Sequence, residues 1–179
     1  LSKTRISAFD NLQHELESLL AQLGIPEVKL KVERTEKPLS PDGLDQITML
    51  FSANKGIKEA PLKQVASGGE FTRLMFSIKY LIADKTALPT IVFDEIDTGV
   101  SGEIALKMGA MMETMAKNHQ VIAISHLPQI AAKGKAHYFV FKERGDERSS
   151  SKIKKLTEDE RVEEIAKMIG GDTPSDSAY

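Results

Sequence analysis

The stretch Thr90-Ile91-Val92-Phe93-Asp94-Glu95-Ile96-Asp97 decides the fold. Four residues that favour β structure run directly into two adjacent carboxylates, with Pro89 at the entry. A short continuous apolar run is the pattern of a strand buried on both faces, as in a parallel sheet. Proline is tolerated at the mouth of such a strand. In open α/β sheets ligands bind beyond the carboxyl ends of the strands. Asp94 and Glu95 stand at such an end. One carboxylate there can hold a hard cation such as Mg²⁺, directly or through water. The next can orient and deprotonate a water molecule. The plainer alternative is a strand that ends in an acidic, solvated turn.

Two neighbouring stretches bear on that choice. Upstream, Val65-Ala66-Ser67-Gly68-Gly69-Glu70 leads into Phe71, Leu74, Met75, Ile78 and Leu81, which form one helical face. Ser67 and Glu70 have the spacing of a capping box, so the helix is expected to start at Ser67. Its first turn carries unpaired N–H groups and the positive end of the helix dipole. Gly68 and Gly69 lack side chains, so an anion can approach that backbone closely. A capped helix with a flexible start is the alternative, but two glycines in a first turn cost stability.

Downstream, Asp97-Thr98-Gly99-Val100-Ser101-Gly102 reads as a loop, with Ser101 able to cap the next helix. Ile104, Leu106, Met108, Met111, Met112 and Met115 supply that helix with apolar surface, and core packing explains the methionines more simply than a binding face. Val121-Ile122-Ala123-Ile124 is a second short strand, ending at Ser125-His126. A right-handed crossover over residues 101–124 brings both strand ends to one sheet edge, and His126 close to Asp94 and Glu95. A lone histidine is usually structural; one at a strand's carboxyl end beside two carboxylates is a better site candidate.

The rest of the chain frames these motifs. Residues 1–23 read as a helix, with Ile6, Phe9, Leu12, Leu16, Leu19 and Leu23 at three- and four-residue steps, ended by Gly24 and Pro26. That seam is too short to establish a coiled coil. Val28, Leu30 and Val32 alternate with charged residues as a half-exposed strand, and residues 47–51 form a second strand able to pair with it. Pro38, Pro41 and Gly43 suggest a loop between them. Residues 138–142 and 151–156 read as two more strands, and 158–169 as a last helix stopped by Gly170-Gly171. Lys152, Lys154 and Lys155 form a small basic patch, by default solvated decoration and alternatively a phosphate contact. Residues 172–179 read as a fraying tail.

Composition sets limits. The 179 residues are 41% hydrophobic and 28% charged, enough for one domain with a core. The net charge of -2 gives no global basic field for nucleic acid. With no cysteine, disulfides and thiolate metal sites are excluded. No signal peptide or apolar run of membrane-spanning length is visible, which fits a cytoplasmic protein. The chain opens at Leu1 inside a helix and reads as a fragment of something longer.

The order of these motifs resembles the ABC-type ATPases. It is closest to their SMC-like branch, whose heads carry long antiparallel coiled-coil arms. The wording of residues 66–73, 93–102 and 125–132 is similar to the bacterial group that acts in DNA double-strand-break repair and recombination. The resemblance implies an α/β head, with a mostly parallel sheet flanked by helices and a few antiparallel strands. It divides the chain into the end of an arm helix (1–23), the C-terminal half of the head (24–171) and a tail (172–179).

It also implies that ATP and Mg²⁺ are bound between two heads of a homodimer. Ser67, Gly68, Gly69 and Glu70 match the signature motif that contacts ATP held by the opposite subunit. Asp94 matches the Walker B aspartate serving Mg²⁺. Glu95 matches the catalytic glutamate that polarises water. Asp97 matches the loop that crosses the dimer interface, and His126 the switch histidine. No G-x-x-x-x-G-K-[ST] occurs in the chain, and the family's glutamine loop is absent. Both are expected in an N-terminal half that is a further partner, with DNA engaged through the full-length protein and no membrane involved. Less favoured alternatives are another SMC-like chromosome-organising ATPase, a transporter ATPase subunit, and an interaction module that kept the fold without the activity.

Overall fold

The computed structural model describes residues 1–65, 68–144 and 149–171. The leading helical segment is divided at Ala8 into α1 (Ser2–Ser7) and α2 (Phe9–Gln22). Gly24, at φ 83°, turns the chain out of α2 into a conformation that glycine adopts without strain. Strands β1 (Lys29–Ser40) and β2 (Gly43–Ser52) then form an antiparallel hairpin, to which the short β3 (Ala60–Pro61) adds an edge. The loop expected around Pro38 is instead strand with an irregular register between Glu36 and Ser40. β1 is the outer strand of its sheet, where proline's missing N–H is tolerated.

The short α3 (Leu62–Val65) precedes α4, described from Gly68 to Lys85. Next come β4 (Thr90–Phe93), α5 (Gly102–Met115) and β5 (Gln120–Ala123). β4 and β5 pair in parallel, Phe93 opposite Ala123. The short α6 (Pro128–Ala131) leads to an antiparallel hairpin of β6 (Tyr138–Arg144) and β7 (Ser149–Lys155), and α7 (Glu158–Gly170) closes the described chain.

The fold is α/β, as the sequence implies. Its parallel part is confined to the β4–β5 pair among the described residues, and the other pairings are antiparallel. The reason is connection length. Parallel neighbours need a crossover of a dozen or more residues, which α5 provides, whereas β1–β2 and β6–β7 are joined by turns. A second difference concerns β4. Ile91 and Phe93 are buried, but Val92 is 48% exposed, as are Ile122 (45%) and Ile124 (54%) beside it. Helices cover one face of the parallel pair, and none of the described residues covers the other. The strand expected to be buried on both faces is therefore buried on one.

Two apolar clusters hold the molecule together, and α4 is the wall between them. On one side Leu74 packs with Leu16 and Leu20 of α2, Leu30 of β1 and Phe51 of β2. On the other, Phe76 and Ala83 pack with Ile91 and Phe93 of β4 and with Ala105, Met108, Met112 and Met115 of α5. The methionines therefore serve the core. Phe76 and Phe93 have ring centroids 5.3 Å apart at a tilted angle, a favourable aromatic geometry. Helix α2 also protects the outer edge of β1, where Gln13 Oε1 accepts from the Val32 N–H and Glu17 Oε1 from the Leu30 N–H. Side-chain acceptors thus occupy strand donors that would otherwise invite another chain.

Candidate nucleotide-hydrolysis site

Parallel pairing puts the ends of β4 and β5 on one edge of the sheet. The ladder continues one step past the strands, where the Ile124 N–H donates to Phe93 O at 2.8 Å. Beyond it the chain delivers Asp94 and Glu95 from β4, and Ser125 and His126 from β5. Asp94 and Glu95 are exposed, and so is His126, whose side chain is 76% accessible.

Glu95 has φ 47°, and it is the only non-glycine residue with positive φ among those described. Such a conformation costs on the order of 1 kcal/mol or more and persists only when its surroundings enforce it. Here Glu95 O accepts from the hydroxyl and the main-chain N–H of Thr98, and Asp97 O accepts from the Val100 N–H. Buried Ile96 and Val100 anchor the turn to the core on either side. The strained backbone directs Glu95 outward at the sheet edge. Sequence reading did not anticipate this strain, because glutamate is not a residue that signals a left-handed turn.

Asp97 is oriented the opposite way. It is 2% exposed, and its Oδ2 accepts from Ser125 Oγ at 2.5 Å and from the His126 N–H at 2.8 Å, and lies 3.1 Å from His126 Nδ1. Ser125 Oγ in turn accepts from the Leu127 N–H. Burial pushes the Asp97 carboxyl up, but the Ser125 hydroxyl and the His126 amide outweigh it, so the group sits below its ordinary value and stays ionised. The residue expected to cross between subunits thus has its bonding partners within its own chain.

Of the glycine pair, Gly69 meets the same loop. Gly68 and Glu70 lie in the first turn of α4, while Ser67 and the expected cap fall outside the described residues. Gly68 is exposed with open space where a Cβ would sit. Gly69 lies against the Thr98 and Gly99 backbone, where an added Cβ would come within 3.3 Å of Thr98 O. Gly99, at φ 69°, returns the contact, its own Cβ position lying 3.1 Å from Gly69 Cα. Two bare backbones pack where no side chain fits.

A cleft of about 190 Å³ opens beside Asp94 and Glu95, lined also by Phe71, Met75 and Lys79 of α4. Lys79 donates to Val92 O at 3.0 Å and sits 5.2 Å from the Phe93 ring centroid. This cation was missed in the sequence. The available signal was its helical spacing from Met75 and Phe71, about one and about two turns along the same face.

The donor set fits a magnesium nucleotide. Among the described residues no three His, Asp or Glu side chains converge as a protein-only cage. Mg²⁺ is usually held by one or two carboxylates together with water and phosphate oxygens, so an exposed Asp94 at a strand end is the appropriate donor. No helix among the described residues is long and apolar enough to cross a membrane.

No protein-family model matches the chain. Curated proteins do. The DNA repair protein RecN of Rickettsia conorii is 37% identical over 173 residues, spanning 97% of this chain and 32% of that protein. RecN of Deinococcus radiodurans is 36% identical over 97% of the chain and 30% of its own length. RecN of Bacillus subtilis is 34% identical over 90% of the chain and 30% of its length. The chain therefore spans about a third of the relatives it matches. Among solved structures, the Smc head domain with a coiled coil and joint from Pyrococcus yayanosii superposes with a TM-score of 0.62 at 18% identity, over 86% of this chain and 28% of that one. A structure from work on ATP-driven dimerization and DNA-stimulated activation of SMC ATPases gives 0.60 at 18% identity, covering 94% of this chain and 97% of the other. Along nearly its whole length the chain is thus RecN-like in sequence, and in three dimensions it has the fold of SMC heads.

Proposed function

We propose that this chain is the C-terminal half of an ATPase head acting in DNA double-strand-break repair and recombination. ATP is held between two heads of a homodimer, in the cytoplasm of a bacterium and at its nucleoid. Residues 1–23 are the end of the returning arm, residues 24–171 the half-head, and residues 172–179 a tail. The observation that carries the reading is the shared sheet edge, with Asp94, Glu95 and His126 leaving adjacent parallel strands and Asp97 bridging to the second of them.

In this reading each residue has a distinct task. Bound Mg²⁺ supplies neutralisation of phosphate charge. Asp94 would hold that ion, through water. Glu95, thrust outward by its backbone, orients and deprotonates the attacking water. His126 has its Nδ1 engaged by Asp97, which leaves Nε2 to face the terminal phosphate. Ser67, Gly68, Gly69 and Glu70 present a helix end to the nucleotide of the opposite head. As in other phosphoryl-transfer sites, catalysis rests on positioning and electrostatics.

The N-terminal half is the source of the glycine-rich loop and lysine that bind the triphosphate, and DNA is engaged by the full-length protein. Val92, Ile122 and Ile124 form an exposed apolar face on the parallel pair, which suits burial against that half.

Two measurements test the proposal. In the full-length protein, Glu95→Gln retains Mg-ATP binding and loses steady-state turnover; turnover near wild type removes Glu95 from catalysis. Isothermal titration of the 179-residue chain with Mg-ATP shows no tight binding, and the chain alone does not hydrolyse ATP. Micromolar binding by this chain contradicts the assignment of the phosphate site.

A further inference from the structure

Arg73 joins two parts of the chain that sequence separates. Its Nη1 donates to Leu23 O at 3.2 Å, at the C-terminal end of α2. Its Nε donates to Gly69 O, also at 3.2 Å, one turn back in α4. No carboxylate among the described residues lies within ion-pair distance of this half-buried guanidinium. Its charge is met by carbonyl oxygens, and a cation at the last carbonyls of α2 is favoured by that helix's dipole.

Both ends of the bridge are closely packed. Leu23 is fully buried in the cluster that also holds Phe93, Ile96 and Val100. At Gly24 an added Cβ would come within 2.8 Å of Ile104 Cδ1, so this turn lies close against α5. At the other end Gly69 rests on Thr98 and Gly99, the loop that carries Asp97. The contacts therefore run without a gap from the end of α2, through Arg73 and Gly69, to Gly99, Asp97 and His126.

We propose that Arg73 is a positioning residue, one that sets the signature glycines and the loop beneath them according to where the arm helix ends. It touches no nucleotide itself. Its planar fork holds two carbonyls from different elements at once, which a lysine's single ammonium cannot do in the same geometry. Displacement of the arm then reaches Gly69 directly, and reaches the Asp97–His126 pair through one backbone contact. This assignment rests on the proposed ATPase reading.

The test uses the full-length protein with Arg73→Gln and Arg73→Lys. Amide hydrogen exchange is read at residues 23–25 and 69–72, alongside Mg-ATP affinity and turnover. Arg73→Gln is expected to speed exchange in both segments together by roughly tenfold, as for a lost charge-assisted hydrogen bond. The kcat falls by a similar factor while Mg-ATP affinity stays unchanged. Arg73→Lys shifts both segments in the same direction to a smaller extent, and it decides the matter if the glutamine variant does not fold. Faster exchange in only one segment, in either variant, overturns the bridge. Faster exchange in both with an unaltered kcat overturns the positioning role. A wild-type protein that binds no ATP refutes the ATPase reading instead, and the paired exchange still decides whether the bridge exists.

Discussion

The carboxylate of Asp97 holds His126 at two points, accepting its main-chain N–H at 2.8 Å and lying 3.1 Å from its Nδ1. One oxygen thereby sets both the backbone and the ring of the histidine, and also takes the Ser125 hydroxyl. Asp97→Ala takes the acceptor from the half-buried Ser125 hydroxyl and from the His126 main-chain N–H. The expected cost is about 2–3 kcal/mol of unfolding free energy, measured by urea titration. A loss below about 0.5 kcal/mol would mean that the network has little energetic consequence.

Acid stability follows from the same group and from Asp45. Hydrogen bonds from Arg34 and Ser2 hold the Asp45 carboxyl below its ordinary value. For both residues the folded-state pKa is depressed, so their stabilisation is complete above the ordinary carboxylate value of about 4 and is lost as pH falls through it toward the folded value. Urea midpoints recorded from about pH 6 to about pH 3 should decline most steeply at the acid end of that window. Asp97→Asn and Asp45→Asn should each flatten the decline, and unchanged slopes in both would disconnect these carboxyls from acid unfolding.

Glu95 is predicted to trade stability for position. Glycine at this site removes the side chain that resists φ 47°. Glu95→Gly is expected to raise stability by up to about 1 kcal/mol, offset in part by a more flexible unfolded chain. Thermal melting checks this. A clear drop in Tm would indicate that the carboxylate, beyond the backbone turn, stabilises the folded state.

Gly99 is the converse case. An alanine there must hold φ 69° and bring its Cβ to 3.1 Å from Gly69 Cα, where only backbone can yield. Gly99→Ala should cost about 2 kcal/mol and loosen the first turn of α4. Chemical denaturation gives the first quantity and hydrogen exchange at residues 69–72 the second. A stability loss with α4 unaffected would disprove the contact between the two glycines.

The positions of elements follow from local chemistry, which the sequence states directly. The apolar run at 90–93, the alternation at 28–32 and the helical face of Phe71, Leu74, Met75 and Ile78 correspond to β4, β1 and α4. Motif order likewise selected Asp94, Glu95 and His126, since residues at the ends of neighbouring parallel strands share an edge whatever the surrounding detail. Tertiary structure decided what depends on partners distant in the chain. Asp97 turns inward because Ser125 and His126, nearly thirty residues on, offer it donors. Arg73 bonds Leu23 across fifty residues because the packing of α2 and α4 against one cluster brings that carbonyl within reach. Val92 is exposed because none of the described residues covers its face of the pair, which an apolar residue cannot disclose on its own. The φ of Glu95 is imposed by anchors at Ile96 and Val100 on a residue that would not choose it. Local propensity acts over a few residues, whereas hydrogen-bond partners and burial are settled only when the whole chain has packed.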